Sequence, residues 1–176
     1  LHWSPTKRVS TVGGTNQAFT PMVRVADDGT ATKDGTVAVQ YYDFRNDSAA
    51  TPGLTTNTWI IRSTDGGDSF PAANEEAVGA PYDMRQAPDA LGYFTGDYEG
   101  LDWAGGGLKP GFKPFFVRSN DAMPANRTDV FATTASSGLP AQNGLSPTIP
   151  GWMELTRVGA NSTDMVRTMP ITPPLM

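Results

Sequence analysis

Two short segments concentrate residue types that can do chemistry. The first is Tyr41-Tyr42-Asp43-Phe44-Arg45. Alternate side chains of a strand share a face, so Tyr41, Asp43 and Arg45 are expected to point the same way. An Asp and an Arg two apart suit recognition of a sugar's hydroxyls or carboxylate, because a guanidinium grips a carboxylate with two parallel hydrogen bonds. The same pair also suits a plainer role, fixing the loop that follows the strand. The second segment is Gly96-Asp97-Tyr98-Glu99-Gly100-Leu101-Asp102-Trp103. Its carboxylates Asp97, Glu99 and Asp102 sit beside Tyr98 and Trp103. Two carboxylates can serve as acid and as base or nucleophile in glycoside cleavage. Clustered carboxylate oxygens are also candidates for Ca²⁺, although no metal ligand set is assigned here. A turn whose Asp caps backbone groups is the third reading. Tyr98 and Glu99 are adjacent, so on a strand they would face opposite ways and make a poor mutual pair. Arg85, in Tyr82-Asp83-Met84-Arg85, is placed in a loop where it could line a rim. Trp59, Trp103 and Trp152 are candidates for stacking on sugar rings, and Trp59, within a strand, reads more readily as core.

These residues need elements to hold them, and the elements read as strands. Residues 7–12, 21–26, 36–44 and 57–63 are short, rich in β-branched and aromatic side chains, and separated by turn residues such as Asp27-Asp28-Gly29 and Asp34-Gly35. A second set starts near Gly92, with strands expected over residues 112–119 and 128–134. Residues 136–150 read as a loop or linker, and Trp152–Val158 as one more strand before Pro170 and Pro173-Pro174. Four successive antiparallel strands within about 50 residues make one blade of a β-propeller. The chain is therefore divided into about two blades over residues 1–135 and a loop-rich tail over 136–176. A β-sandwich gives a similar strand count and stands as the alternative.

Composition agrees with an all-β chain and excludes several function classes. Among 176 residues there are 19 Gly and 15 Pro, favouring tight turns over helices. The net charge of −5 and the lack of a basic stripe argue against nucleic acid as a partner. No apolar run approaches the roughly 20 residues of a membrane helix, so no membrane association is expected. With no cysteine and His2 the sole histidine, neither a zinc site nor a serine triad is expected. The chain opens on Leu1-His2-Trp3-Ser4-Pro5, without a charged n-region or apolar h-region, and reads as part of a longer protein.

One turn carries a family resemblance. Ser63-Thr64-Asp65-Gly66-Gly67-Asp68-Ser69-Phe70 resembles the Asp box, S-x-D-x-G-x-x-W, with Phe70 in the place of the aromatic plug. An Asp there accepts backbone N–H bonds, and glycine supplies a conformation closed to other residues. The opening Trp3-Ser4-Pro5 with Arg8-Val9-Ser10 resembles the segment that follows such a box. Pro21 to Asp47 is similar to the strand, turn, strand and Tyr-Asp-x-Arg unit of the same family, and Gly96 to Leu101 resembles its G-D-Y-x-G-L segment. Over about Trp3 to Thr134 the chain thus resembles the Asp-box β-propellers of the sialidase superfamily.

That resemblance implies a sialidase-like glycoside hydrolase acting on terminal sugars of glycans, extracellular or periplasmic. Arg45 would act as a carboxylate clamp, with Tyr41, Arg85 and Trp103 contacting substrate. Asp43, Asp97, Tyr98 and Glu99 would be catalytic, the acidic group near Glu99 serving as acid/base. No cofactor is implied, Ca²⁺ being the one candidate. The family's arginine motif, full arginine triad and Tyr–Glu nucleophile pair cannot be traced residue by residue. A non-catalytic carbohydrate- or protein-binding propeller module is the alternative. Two blades do not close a ring, so a homo-oligomer completing a propeller is a further implication.

Overall fold

A computed structural model describes residues 3–26, 35–50, 52–105, 111–120 and 125–135. The expected turn over residues 27–29, Asp34, the loop over 136–150 and the strand Trp152–Val158 lie outside them. The described residues form antiparallel β-sheet with two short 3-10 turns. The all-β expectation is met.

In the first sheet β1 (Ala18–Val25), β2 (Val37–Asp43), β3 (Thr55–Ser63) and β4 (Glu75–Ala77) lie side by side in chain order. Every pairing is antiparallel. β2 and β3 form its centre because both faces of their Val, Ile, Tyr and Thr side chains find neighbours; Ala38, Tyr42, Ile60 and Ile61 are buried. β1 is irregular between Phe19 and Met22, where Thr20 takes a positive φ of 49°. β5 (Tyr82–Asp83) returns to the edge of β3 that β4 uses, pairing with Thr55 and Thr56. Between β4 and β5 the chain bulges at Gly79, whose φ is +81°. A Cβ at Gly79 would stand 2.8 Å from the Phe116 ring, so only glycine lets the bulge lie against the second sheet.

The second sheet holds β6 (Gly100–Ala104), β7 (Gly111–Ser119) and β8 (Thr128–Ala132), again antiparallel and in chain order. The two sheets share one core. Tyr42, Ile60 and Tyr82 from the first, with Val78 and Met84 from the segments flanking β5, meet Leu101, Phe112 and Phe116 from the second. Among the described residues neither sheet closes on itself. Polar joints also cross between them. The Tyr42 hydroxyl donates to the Val117 carbonyl and accepts from the Val117 N–H, both at 2.8 Å. β6 begins at Gly100, opposite Phe115, so it stops short of Val117. The tyrosine hydroxyl occupies the ladder position that β6 leaves open.

One expected strand is absent. Residues 7–12 form no strand. Thr11 instead spends its N–H on the Tyr41 hydroxyl, at 3.3 Å. Residues 92–95 make one isolated bridge, Asp89 to Tyr93, because positive φ at Leu91 and Gly92 turns the chain out of an extended path.

Candidate functional site

Tyr41, Asp43 and Arg45 come together as their spacing suggested. β2 ends at Asp43, and Arg45 lies in the following turn, from which its side chain folds back along the strand. Its Nε donates to Asp43 Oδ2 at 2.6 Å. Its two terminal nitrogens grip Glu75 at 2.6 and 3.1 Å and also reach Thr11 Oγ1 at 2.9 Å and the Tyr41 hydroxyl at 3.1 Å. The guanidinium carbon lies 3.9 Å from the centroid of the Trp59 ring, and Trp59 Nε1 donates to Asp43 Oδ1 at 2.9 Å. Trp59 is half-buried and holds this cluster from the side, which corrects its reading as core. Thr11 and Tyr41 donate their hydroxyls to Glu75 as well.

The electrostatics follow from that wiring. Burial alone would raise the Glu75 carboxyl, but the hydrogen bonds from Arg45, Thr11 and Tyr41 outweigh it and the pKa is lowered. Burial, with the Glu75 carboxylate alongside, pushes the Tyr41 phenol up to about 12. Burial disfavours the Arg45 charge, yet Glu75 and Asp43 more than compensate and hold it on. Every nitrogen of the Arg45 guanidinium is engaged within the chain. The arrangement fixes the turn after β2 to the middle of β3 and the start of β4.

The second segment divides by direction. Asp97 and Tyr98 stand in the loop before β6, both exposed, Tyr98 at 84%. Glu99 turns inward and is 7% exposed. Burial pushes its carboxyl up to about 7, the nearby Tyr42 hydroxyl and Gln40 amide pulling it partway back. Burial, together with the Glu99 charge, also raises the Tyr42 and Tyr82 phenols. Asp102 lies on β6, exposed, and pairs with Arg24 of β1 at 3.1 Å. Trp103 packs on Phe112 with ring centroids 4.9 Å apart. Comparison of the chain with protein-family models, with curated proteins and with solved structures finds no match.

Arg85 sits on the 3-10 turn Met84–Gln86 after β5. Asp83 caps that turn by accepting from the Arg85 N–H at 3.0 Å, and the Arg85 side chain is exposed. The segments carrying Arg85 and Asp97–Tyr98 meet below the surface at Tyr82, which touches Thr95 and feels the Glu99 charge. Among the described residues no group of three or more His, Asp or Glu side chains is arranged to hold a metal.

Sequence reasoning missed Glu75 and Thr11, the partners that complete the Arg45 cluster, and Gln40, Tyr42 and Tyr82, the neighbours of Glu99. Glu75 stands thirty residues beyond Arg45 in the chain. No local spacing could have joined them. One signal was present for Tyr42: next to Tyr41 on a strand, it had to face the opposite side.

Proposed function

We propose that this chain forms part of a sialidase-like β-propeller that acts on terminal sugars of glycans, in an extracellular or periplasmic setting. The observation that carries this reading is the turn joining β3 to β4. Ser63 Oγ accepts from the Gly67 N–H at 2.8 Å and donates to Asp65 Oδ1 at 2.5 Å. Asp65 Oδ1 accepts from the Ser69 N–H at 2.8 Å, and Gly66 and Gly67 take positive φ. Ser63, Asp65 and Gly67 thus hold a locally bonded turn of the kind the resemblance to an Asp box implies, within a meander of strands in chain order. This supports the blade assignment more than strand count does, and it favours the propeller over the sandwich.

Within this reading the substrate-facing residues are Arg85, Asp97 and Tyr98, whose side chains are exposed on neighbouring segments. Arg85 offers its charge to a sugar carboxylate, and Asp97 is the proton donor. Tyr41, Asp43 and Arg45 hold the scaffold, since the Arg45 nitrogens are already engaged. The same saturation of Arg45 favours a second reading, a glycan-binding module without its own turnover.

The test is turnover of a fluorogenic sialoside, beside a panel of aryl glycosides. Wild-type turnover lowered at least about tenfold by Asp97→Asn, with KM raised by Arg85→Ala, is the expected result. Turnover unaffected by either change would remove this site. Glycan binding without turnover would favour the module.

A further inference from the structure

Glu99 is a carboxyl where the packing of the two sheets leaves it little help. It is more than nine-tenths buried, and neither of its oxygens meets a hydrogen-bond partner of good geometry. The groups around it explain why. From β2 comes the Tyr42 hydroxyl, whose proton is committed to the Val117 carbonyl. Also from β2 comes Gln40, whose amide nitrogen donates to the Phe115 carbonyl at 3.1 Å and whose Oε1 is likewise without a partner. From β5 comes Tyr82, with Thr95 of the loop before β6 beside it. Arg118 of β7 acts on Tyr82, and is itself held over the Phe131 ring and on the Pro81 carbonyl. The phenols and the amide that border Glu99 carry no positive charge, and two of them also bond the β7 backbone.

We propose that Glu99 is a pH-sensitive latch between the two sheets: neutral, it lets the β6–β8 sheet seat on the first, and ionised, it loosens that seat. A buried carboxylate with no cation beside it is costly, whereas a neutral carboxylic acid carries one proton that it can donate, and the orphaned Gln40 Oε1 is an acceptor of the right kind. The first contacts to feel the charge are those at Phe115 and Val117, because Gln40 and Tyr42 make both.

The sign follows from linkage. The folded-state pKa is about 7, against 4.5 for an ordinary glutamate carboxyl. Between those values the folded chain holds a proton that the unfolded chain has lost, so folding weakens as pH rises through this window and levels off above about 7. The difference in pKa corresponds to a change in the unfolding constant on the order of a hundredfold.

The experiment is urea unfolding of the full chain from pH 4.5 to 8.5, with amide hydrogen exchange followed at Val117. Wild type is expected to lose stability up to about pH 7 and then to plateau, with faster exchange at Val117. Glu99→Gln, which stays neutral, is expected to remove most of the slope and to be the more stable protein at pH 8. An unchanged slope in Glu99→Gln, or a flat wild-type profile, would overturn the latch. Should that variant fail to fold, carbon-13 titration of the Glu99 carboxyl in the wild type decides: a midpoint near 7 supports the latch and one near 4.5 overturns it.

Discussion

Arg45 binds two carboxylates at once, and both are buried. The Asp43 side chain is 0% exposed and that of Glu75 6%. Charges held in this way depend on their partner, since a buried ion left alone can neither hydrate nor pair. Arg45→Ala is therefore expected to destabilise the fold by about 3 kcal/mol, the range for breaking a buried pair by removing one member. Urea unfolding at neutral pH measures it. A loss below about 1 kcal/mol would mean that water replaces the guanidinium and that the cluster is more open than its contacts imply. At this scale the sequence was partly legible. Strand alternation put Tyr41, Asp43 and Arg45 in one place, and the plainer role considered for Asp43 and Arg45, fixing a loop, is the one their contacts serve. Thr11 was read as part of a strand, whereas its N–H and hydroxyl go to side chains.

The elements differ in how openly they announce themselves. β2, β3, β7 and β8 are rich in β-branched and aromatic residues between turn residues, and their positions could be read within a residue or two. β4 and β5 could not. Glu75-Glu76-Ala77 has neither the alternation nor the propensity of a strand. It becomes one because Arg45 and Arg62 hold Glu75 and Glu76 along the edge of β3. The bulge between β4 and β5 depends on Gly79. Gly79→Ala would force a Cβ into a positive-φ position and against the Phe116 ring, at 2.8 Å. The combined strain and overpacking are expected to cost about 2–4 kcal/mol, read as a lowered urea midpoint. An unchanged midpoint would show that β4–β5 and the second sheet are less tightly joined than described. The Ser63–Ser69 turn is the opposite case, almost wholly local. Hydrogen bonds from the Ser63 and Ser69 hydroxyls, then the Ser69 N–H, hold the Asp65 carboxyl well below its ordinary value. That local wiring is why its residues could be read from the sequence.

For the whole molecule, the joint between the sheets matters most and was least legible. Tyr42 completes the backbone ladder of a strand some seventy-five residues away. Glu99 ends inside, while its neighbours Asp97 and Tyr98 stay outside. The direction of Glu99 relative to Tyr98 followed from adjacency, but the depth of its burial depended on β5, β2 and β7 arriving together. The glycan site proposed above borders the same joint: Tyr82, three residues before Arg85, bonds Thr95, two residues before Asp97, and Arg45 belongs to a separate cluster already saturated. Titration of a nitrogen-15-labelled chain with a soluble sialoside, followed by amide chemical shifts, tests this most directly. The expected result is a set of saturable shifts centred on Arg85 and on Gly96–Tyr98, with Arg45 and Glu75 unmoved. Shifts centred on Arg45 and Glu75, or none at saturating sialoside, would contradict it.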